Sequence, residues 1–317
     1  MRVMAGVRSR AAAVTQRLSR KPAGTPALEV REVREAREVL AGRYELTALL
    51  GRGGMAEVHA AYDRELERVV AIKRPRRDMD GDAAISDRLR REAIALAAID
   101  SPHVVAIHDV GHAANSVFLV MQLLSGRTLD DELERGPVTP ARACRIARDV
   151  LAGLDAIHTS GLVHRDLKAS NVLLDRNDRA VLLDLGAALH RRRRSLTAPG
   201  TVLGTPECMA PEQLEQRPLD GRVDLFQLGL ILIYMVTGVR ADCAVDPTRL
   251  AIPRALRYVI ARALSPVGER YASTSQMQRA LDGALAGCTL QPLESMEPTP
   301  GKRTRQWPER IVPPRPR

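Results

Sequence analysis

The stretch that decides the fold is His164-Arg165-Asp166-Leu167-Lys168-Ala169-Ser170-Asn171, and the apolar run Val172-Leu173-Leu174 follows it directly. A second apolar run, Val181-Leu182-Leu183, ends in Asp184-Leu185-Gly186. Gly204-Thr205-Pro206 and then Ala210-Pro211-Glu212 follow further along. Any one of these motifs is short enough to arise by chance. Several of them in this order on one chain are not, so we interpret them together.

Two earlier stretches offer partners for a phosphate-containing ligand. Leu50-Gly51-Arg52-Gly53-Gly54-Met55-Ala56-Glu57-Val58 lies between two strand-like runs. Its glycines let the backbone approach phosphate oxygens, although glycine-rich hairpins are common and this stretch alone is weak support. Lys73 ends the apolar run Ala71-Ile72-Lys73, where an inward lysine must be paired or bound to an anion. Helical Glu92 is the candidate partner, and an ordinary surface lysine is the alternative.

Together these motifs resemble the signature of the eukaryotic-type (Hanks-type) serine/threonine protein kinases. The chain is most similar to the bacterial branch of that family, because of Gly53-Gly54-Met55-Ala56-Glu57-Val58 and Met209-Ala210-Pro211-Glu212-Gln213. The resemblance implies transfer of the ATP γ-phosphate to Ser or Thr hydroxyls of protein substrates. It also implies a divalent metal, Mg²⁺ or alternatively Mn²⁺.

The resemblance covers about residues 43–286 and implies an α+β, two-lobed protein-kinase fold. Residues 43–123 would form a small N-lobe of antiparallel sheet with one helix, and residues 127–286 a larger, mainly helical C-lobe. The flanking segments are interpreted from their composition. Residues 1–42 are predicted to be a basic, disordered extension with a short helix from Glu29 to Leu40, and residues 287–317 a flexible tail rich in proline and arginine.

The resemblance also implies roles for individual residues. Asp166 would orient the substrate hydroxyl and accept its proton, Lys168 would place a positive charge beside the moving phosphoryl group, and Thr205 would bridge these two. Lys73, held by Glu92, would bind the α- and β-phosphates. The predicted metal ligands are Asn171 and Asp184, because amide and carboxylate oxygens suit a hard cation. The other predicted nucleotide-binding residues line the loop and the adenine pocket: Leu50, Gly51, Arg52, Gly53, Gly54, Met55, Ala56, Glu57, Val58, Ala71, Met121, Gln122, Leu124 and Leu173.

The segment from Asp184 to Glu212 corresponds to the activation loop of the family, in which the arginine before the catalytic aspartate often pairs with a phosphate. Because this segment contains Thr197 and Thr201, we predict autophosphorylation on one of them. The family resemblance implies that transient homodimers would carry out this reaction. The run Arg191 to Arg194 is interpreted as a solvated turn, with a cradle for an acidic substrate or for the loop's own phosphate as the alternative.

Two structural roles carry over from the family by position. Asp224 resembles the buried aspartate that fixes the backbone around His164, and Arg270 resembles the arginine that pairs with Glu212. After Gly238 the chain departs from the family pattern, because a short connection replaces a further helix. The choice of protein partners is therefore the property that can least be inferred from the family resemblance.

Composition narrows the remaining possibilities. The net charge is +10, with much of the excess near the chain ends. Nucleic-acid binding is disfavoured because aromatic stacking residues are scarce among the basic ones. The four cysteines form no C-x-x-C pair, which favours a reducing, cytoplasmic setting over disulfides or zinc. No apolar run reaches the roughly 18 residues of a membrane span, so the stretch from Leu225 to Val236 is predicted to be a buried core helix.

Three other functions compete with the kinase interpretation. A pseudokinase scaffold would bind nucleotide without efficient transfer, and it predicts the loss of Lys73, Asp166, Asn171 or Asp184, all of which are present. A small-molecule kinase of the aminoglycoside or choline type would lack Lys168 and the segment from Gly204 to Glu212. A nucleic-acid binder is supported by charge alone.

Overall fold

The structure is a computed structural model that describes residues 38–113, 116–184, 209–241 and 245–290, with side chains described as far as residue 286. Every element below belongs to the compact unit that begins at Val39. Residues 291–317 of the predicted tail, the activation-loop threonines and Thr205 lie outside the described residues. Residues 287–290 belong to the last helix, so the prediction that the flexible tail begins at residue 287 is wrong.

The first part of this unit is an antiparallel six-stranded sheet with one helix. Its strands, in spatial order β1-β2-β3-β4-β6-β5, are β1 (Val39–Leu40), β2 (Tyr44–Arg52), β3 (Ala56–Asp63), β4 (Arg68–Pro75), β5 (Ile107–Ala113) and β6 (Ser116–Met121). Helix α1 (Ala83–Ala97) packs against this sheet. The side chain of Asp82 caps α1 by accepting hydrogen bonds from the backbone nitrogens of Ala84 and Ile85.

The sheet begins earlier than the sequence predicted. Val39 and Leu40 form a strand that pairs with Glu45 and Tyr44, so the predicted helix from Glu29 to Leu40 is wrong at its C-terminal end. Ala41, with φ of 49°, lies in the turn that returns the chain into β2. Leu40 is buried among the sheet's apolar side chains, which makes the strand more favourable than a surface helix at this position.

The second part is mainly helical. Its helices are α2 (Leu129–Leu133), α3 (Pro140–Thr159), α4 (Pro211–Leu214), α5 (Arg222–Thr237), α6 (Arg254–Ala263) and α7 (Thr274–Leu290). A small antiparallel sheet, in order β7-β8-β9, consists of β7 (Gly126–Thr128), β8 (Val172–Asp175) and β9 (Ala180–Leu182). Thr128 caps α2, because its hydroxyl accepts from the Asp131 backbone nitrogen. No helix in the described ranges is long and apolar enough to cross a membrane.

Helix α5 is the centre of the helical part, as predicted for a buried core helix. Every residue from Val223 to Met235 is buried, and the helix packs against α3 and α6. Full burial of a leucine such as Leu228 or Leu232 contributes roughly 1.5–3 kcal/mol. Two polar residues, Asp224 and Gln227, are buried with these apolar side chains and must therefore be hydrogen-bonded.

A buried ion pair joins the start of α4 to the segment before α7, as predicted for Arg270 and Glu212. Arg270 Nη2 donates to Glu212 Oε2 at 3.0 Å, and Nη1 donates to the other carboxylate oxygen. Arg270 Nε donates to the Ser265 carbonyl at 2.7 Å, and the guanidinium carbon lies 4.6 Å from the centre of the Phe226 ring. Because both side chains are almost fully buried, each charge depends on the other for compensation.

We therefore predict that Arg270→Ala lowers the free energy of unfolding by about 3–5 kcal/mol, since it leaves the Glu212 carboxylate buried without its cation. The matched control is Arg249→Ala, which breaks an exposed pair with Asp246 at 3.0 Å and should cost about 1 kcal/mol or less. Urea unfolding of both variants and the wild type measures the difference. Equal losses in the two variants would contradict the importance of this pair.

Candidate active site

Three of the predicted site residues meet where the first sheet faces the helical part. Lys73 lies on β4, opposite Val58 of β3 and Leu119 of β6. Its Nζ is 2.7 Å from Glu92 Oε1 of α1 and 3.1 Å from Asp184 Oδ1, just beyond β9. The Lys73 ammonium thus links a strand, a helix and the chain beyond β9. The predicted partner of Lys73 is the residue found beside it, and the surface-lysine alternative is wrong.

Burial and charge act in opposite directions on this cluster. Burial raises the pKa of Glu92 to about 7, with a contribution from Asp184 and against the effect of the Lys73 charge. Burial alone would lower the pKa of the Lys73 ammonium, but the carboxylates of Asp184 and Glu92 raise it above its ordinary value. Lys73 is therefore positively charged at neutral pH and suited to bind an anion.

The stretch from Asp166 to Asn171 forms the second half of the site. Lys168 Nζ lies 3.0 Å from Asp166 Oδ2. Asn171 Nδ2 donates to the Asp166 carbonyl at 2.9 Å, and the Asn171 carbonyl accepts from the Leu183 backbone nitrogen at 3.0 Å. The last bond joins this segment to the residue before Asp184. Asp166, Lys168, Asn171 and Asp184 are thereby connected through short contacts.

The backbone just before Asp166 adopts a strained conformation. Arg165 has φ of 66°, which costs a residue with a side chain on the order of 1–3 kcal/mol. The Asp224 carboxylate accepts from the Arg165 nitrogen at 2.7 Å and from the His164 nitrogen at 3.0 Å. His158 Nε2 lies 2.7 Å from the same carboxylate. The predicted role of Asp224 is confirmed by these bonds.

The glycine-rich stretch connects β2 and β3, and it is exposed from Leu50 to Gly54. The Gly53 nitrogen donates to the Ala56 carbonyl at 2.8 Å, which closes the turn. Arg52 Nη2 donates to Glu57 Oε2 at 3.3 Å, so an ion pair joins the two strands beside the turn. Unlike its neighbours in the turn, Glu57 is buried, and it is also 3.0 Å from His59 Nε2.

The residues predicted to surround the adenine lie on β4, β6 and β8 and in the segment that follows β6. Ala71 and Met121 are directly opposite each other on β4 and β6, and both are buried. Leu173 is half-buried on β8. The Gln122 nitrogen donates to the Ala106 carbonyl at 2.9 Å, so a ligand edge would be met by other backbone groups of residues 122–124, including those of Leu124.

The donor set fits Mg²⁺. Asp184 offers carboxylate oxygens and Asn171 an amide oxygen, while the Asn171 amide nitrogen is used in the bond to Asp166. Mg²⁺ is typically held by one or two such protein oxygens together with substrate phosphates. Within the described ranges no group of three or more His, Cys, Asp or Glu residues could hold a metal ion by itself. A site shared with a phosphate ligand is the arrangement that matches these residues.

Sequence reasoning assigned no role to two glutamines near Asp166. Gln213 and Gln227 both donate to the Arg165 carbonyl, at 2.8 and 3.0 Å. The signal that could have revealed Gln227 is its position as a polar residue within an apolar helix. Gln213 gives no comparable signal, because it lies in a short polar segment.

A family model described as "Protein kinase domain" matches residues 44–257. The chain belongs to the protein kinase family. The protein kinase fold, with its sheet-rich and helical lobes, is therefore confirmed.

Mycobacterial relatives named serine/threonine-protein kinases confirm the predicted bacterial serine/threonine branch. Serine/threonine-protein kinase PknH of Mycobacterium bovis is 38% identical over 264 residues, covering 77% of this chain and 44% of PknH. PknD of Mycobacterium tuberculosis is 37% identical, covering 77% of this chain and 40% of PknD. The chain thus spans less than half the length of these relatives. The crystal structure of the Mycobacterium tuberculosis PknI kinase domain matches with a TM-score of 0.62 and 25% identity, covering 79% of this chain and 99% of that domain.

The raised pKa of Glu92 leads to a prediction about stability and pH. The pKa of Glu92 is raised to about 7 in the folded kinase domain. The pKa of a glutamate in an unfolded chain is about 4.3. Between these values the folded state binds more protons, so this group makes the domain less stable as the pH rises.

Glu92→Gln removes this titration. The unfolding free energy of the wild type, relative to that of the variant, should therefore fall by a few kcal/mol between about pH 4.5 and about pH 8.5, since one pKa unit corresponds to about 1.4 kcal/mol. Urea unfolding of both proteins at each pH measures this. A difference that stays constant with pH would show that Glu92 titrates normally.

Proposed function

We propose that the chain is a serine/threonine protein kinase that transfers the γ-phosphate of ATP to Ser or Thr hydroxyls of protein substrates, with Mg²⁺ as the metal. The observation that supports this most strongly is the Lys73 ammonium held by Glu92 and Asp184 at 2.7 and 3.1 Å. A buried lysine that keeps its charge beside two carboxylates is suited to an anionic ligand. The relatives named serine/threonine-protein kinases support the same function.

In this proposal each charged side chain has one task. Lys73 binds phosphate oxygens of ATP. Asp166 orients the substrate hydroxyl and accepts its proton as the oxygen attacks the γ-phosphorus and ADP leaves. Lys168, 3.0 Å from Asp166, stabilises the negative charge on the transferring group. Asn171 and Asp184 would hold Mg²⁺, which neutralises phosphate charge when bound, and Mn²⁺ would use the same oxygen ligands.

The pseudokinase alternative is disfavoured by the same contacts. A scaffold that only binds nucleotide has no need for a carboxylate and an ammonium group fixed beside the metal ligands. Asp166, Lys168 and Asn171 are nevertheless joined by contacts of 3.0 Å or less. We therefore favour transfer over binding alone. Thr205, which would bridge Asp166 and Lys168, lies outside the described residues and its role remains a prediction.

We predict that Asp166→Asn lowers kcat for phosphorylation of a Ser/Thr-containing test protein by about 10³-fold, since general-base catalysis contributes 10²- to 10⁴-fold. The assay follows radiolabel from γ-labelled ATP with Mg²⁺, and hydrolysis of the product should yield phosphoserine or phosphothreonine. Asp246→Asn, at an exposed aspartate of the C-lobe, is the control and should retain wild-type activity. Equal labelling by the wild type and Asp166→Asn would refute the catalytic assignment.

We also propose that the kinase phosphorylates its own activation segment, on Thr197 or Thr201. A phosphate there adds a charge of about −1.5 to −2 that arginine can pair with. Mass spectrometry of recombinant wild type should find phosphate on one of these threonines, and Asp166→Asn should lack it. If transient homodimers carry out the reaction, its initial rate per molecule should rise with protein concentration. A fully active, unmodified wild type would contradict the proposal.

A further inference from the structure

Gln227 is a buried polar side chain in the most apolar helix of the protein. It is 1% exposed, one turn of α5 after Asp224 and among buried Phe226 and Leu228. An amide transferred into such surroundings destabilises the fold unless its hydrogen bonds are replaced. The bonds that Gln227 makes therefore indicate what it does.

The Gln227 amide binds the backbone on both sides of Asp166. Its Oε1 accepts from the Leu167 nitrogen at 3.0 Å, and its Nε2 donates to the Arg165 carbonyl at 3.0 Å. These backbone groups belong to the two peptide units that flank the Asp166 side chain. One planar amide thus fixes the positions of both peptides relative to α5.

The two bonds differ in how far other residues duplicate them. The Arg165 carbonyl also accepts from Gln213 Nε2 at 2.8 Å, and Gln213 Oε1 lies 3.2 Å from Gln227 Nε2. Leu167 is fully buried, and Gln227 is the acceptor that its backbone N–H has in the described chain. Loss of the Gln227 amide would therefore leave a buried N–H donor without its acceptor, on the residue that follows Asp166.

The backbone is strained at Arg165, so the loss of the Gln227–Leu167 hydrogen bond should change the conformation of this segment. Arg165 has φ of 66°, and its nitrogen is bound by Asp224 Oδ1 at 2.7 Å. Asp224 binds the backbone before Asp166. Gln227, also on α5, binds the backbone on both sides of Asp166. If the Leu167 end is released, the peptide can rotate and carry the Asp166 carboxylate away from its position beside Lys168.

We propose that Gln227 is a positioning residue for Asp166, and that its amide sets the orientation of the Asp166 carboxylate for phosphoryl transfer. This inference rests on the proposed kinase function. It assigns Gln227 no contact with ATP or with the protein substrate. Its effect should therefore appear in kcat rather than in the KM for ATP.

The test compares Gln227→Met, which removes the amide at similar volume, with Leu232→Ala, which truncates a fully buried side chain five residues further along α5. Gln227→Met should lower kcat about 10- to 100-fold, because misplacement of a reacting group by about 1 Å can cost 10²-fold. Its KM for ATP should stay within about twofold of the wild type. Leu232→Ala should lower the melting temperature but retain wild-type kcat at a temperature well below unfolding. A wild-type kcat in Gln227→Met, or an equal fall in kcat in both variants, would overturn the proposal.

A second measurement is independent of activity. Amide hydrogen exchange of the peptide that contains Leu167 should be faster in Gln227→Met than in the wild type, and unchanged in Leu232→Ala. If wild-type protein transfers no phosphate, the proposed function fails, whereas the exchange experiment still tests whether Gln227 holds this segment. Unchanged exchange in Gln227→Met would overturn the positioning role.

Discussion

The Asp224 carboxylate holds together the part of the molecule on which the rest of the site depends. Three donors surround this fully buried group: the backbone nitrogens of His164 and Arg165, at 3.0 and 2.7 Å, and His158 Nε2, at 2.7 Å. A buried carboxylate is tolerated only with such compensation. Gly221, just before α5, shows how tightly the arrangement is packed, because a Cβ at this position would lie 2.6 Å from the His158 ring. The strained Arg165 backbone persists because these contacts over-determine it.

Charge in the other half of the site is balanced differently. Around Lys73 two carboxylates share one ammonium group, so the cluster carries an excess negative charge when all three groups are ionised. Burial is the main cause of the raised pKa of Glu92, and the Asp184 carboxylate adds to it against the opposing charge of Lys73. A cation bound at Asp184 would reduce the excess.

Much of this arrangement could be predicted from sequence, and the exceptions have physical causes. The buried helix α5 and the Lys73–Glu92 pair follow from residue type and spacing together with the family resemblance. The strand Val39–Leu40 could not be predicted, because its stability comes from pairing with Tyr44 and Glu45 rather than from local propensity. The role of Gln227 could not be predicted from local sequence either, because its partner Leu167 is 60 residues away in the chain. An apolar run shows that a glutamine is buried, but it does not identify the bonds that compensate for its burial.

The two halves of the site respond differently to movement between the lobes. Asp166 is fixed by contacts that lie wholly within the helical part, to Asn171 and through its flanking backbone to α5. Lys73, by contrast, belongs to the sheet-rich part, and its 3.1 Å contact with Asp184 crosses to the chain beyond β9. A relative shift of about 1 Å would break that contact, because charge-assisted hydrogen bonds require separations near 2.8 Å, yet it would leave the surroundings of Asp166 intact. Lobe movement would therefore alter the surroundings of Lys73, the proposed phosphate-binding group, before it altered the position of Asp166, the proposed base.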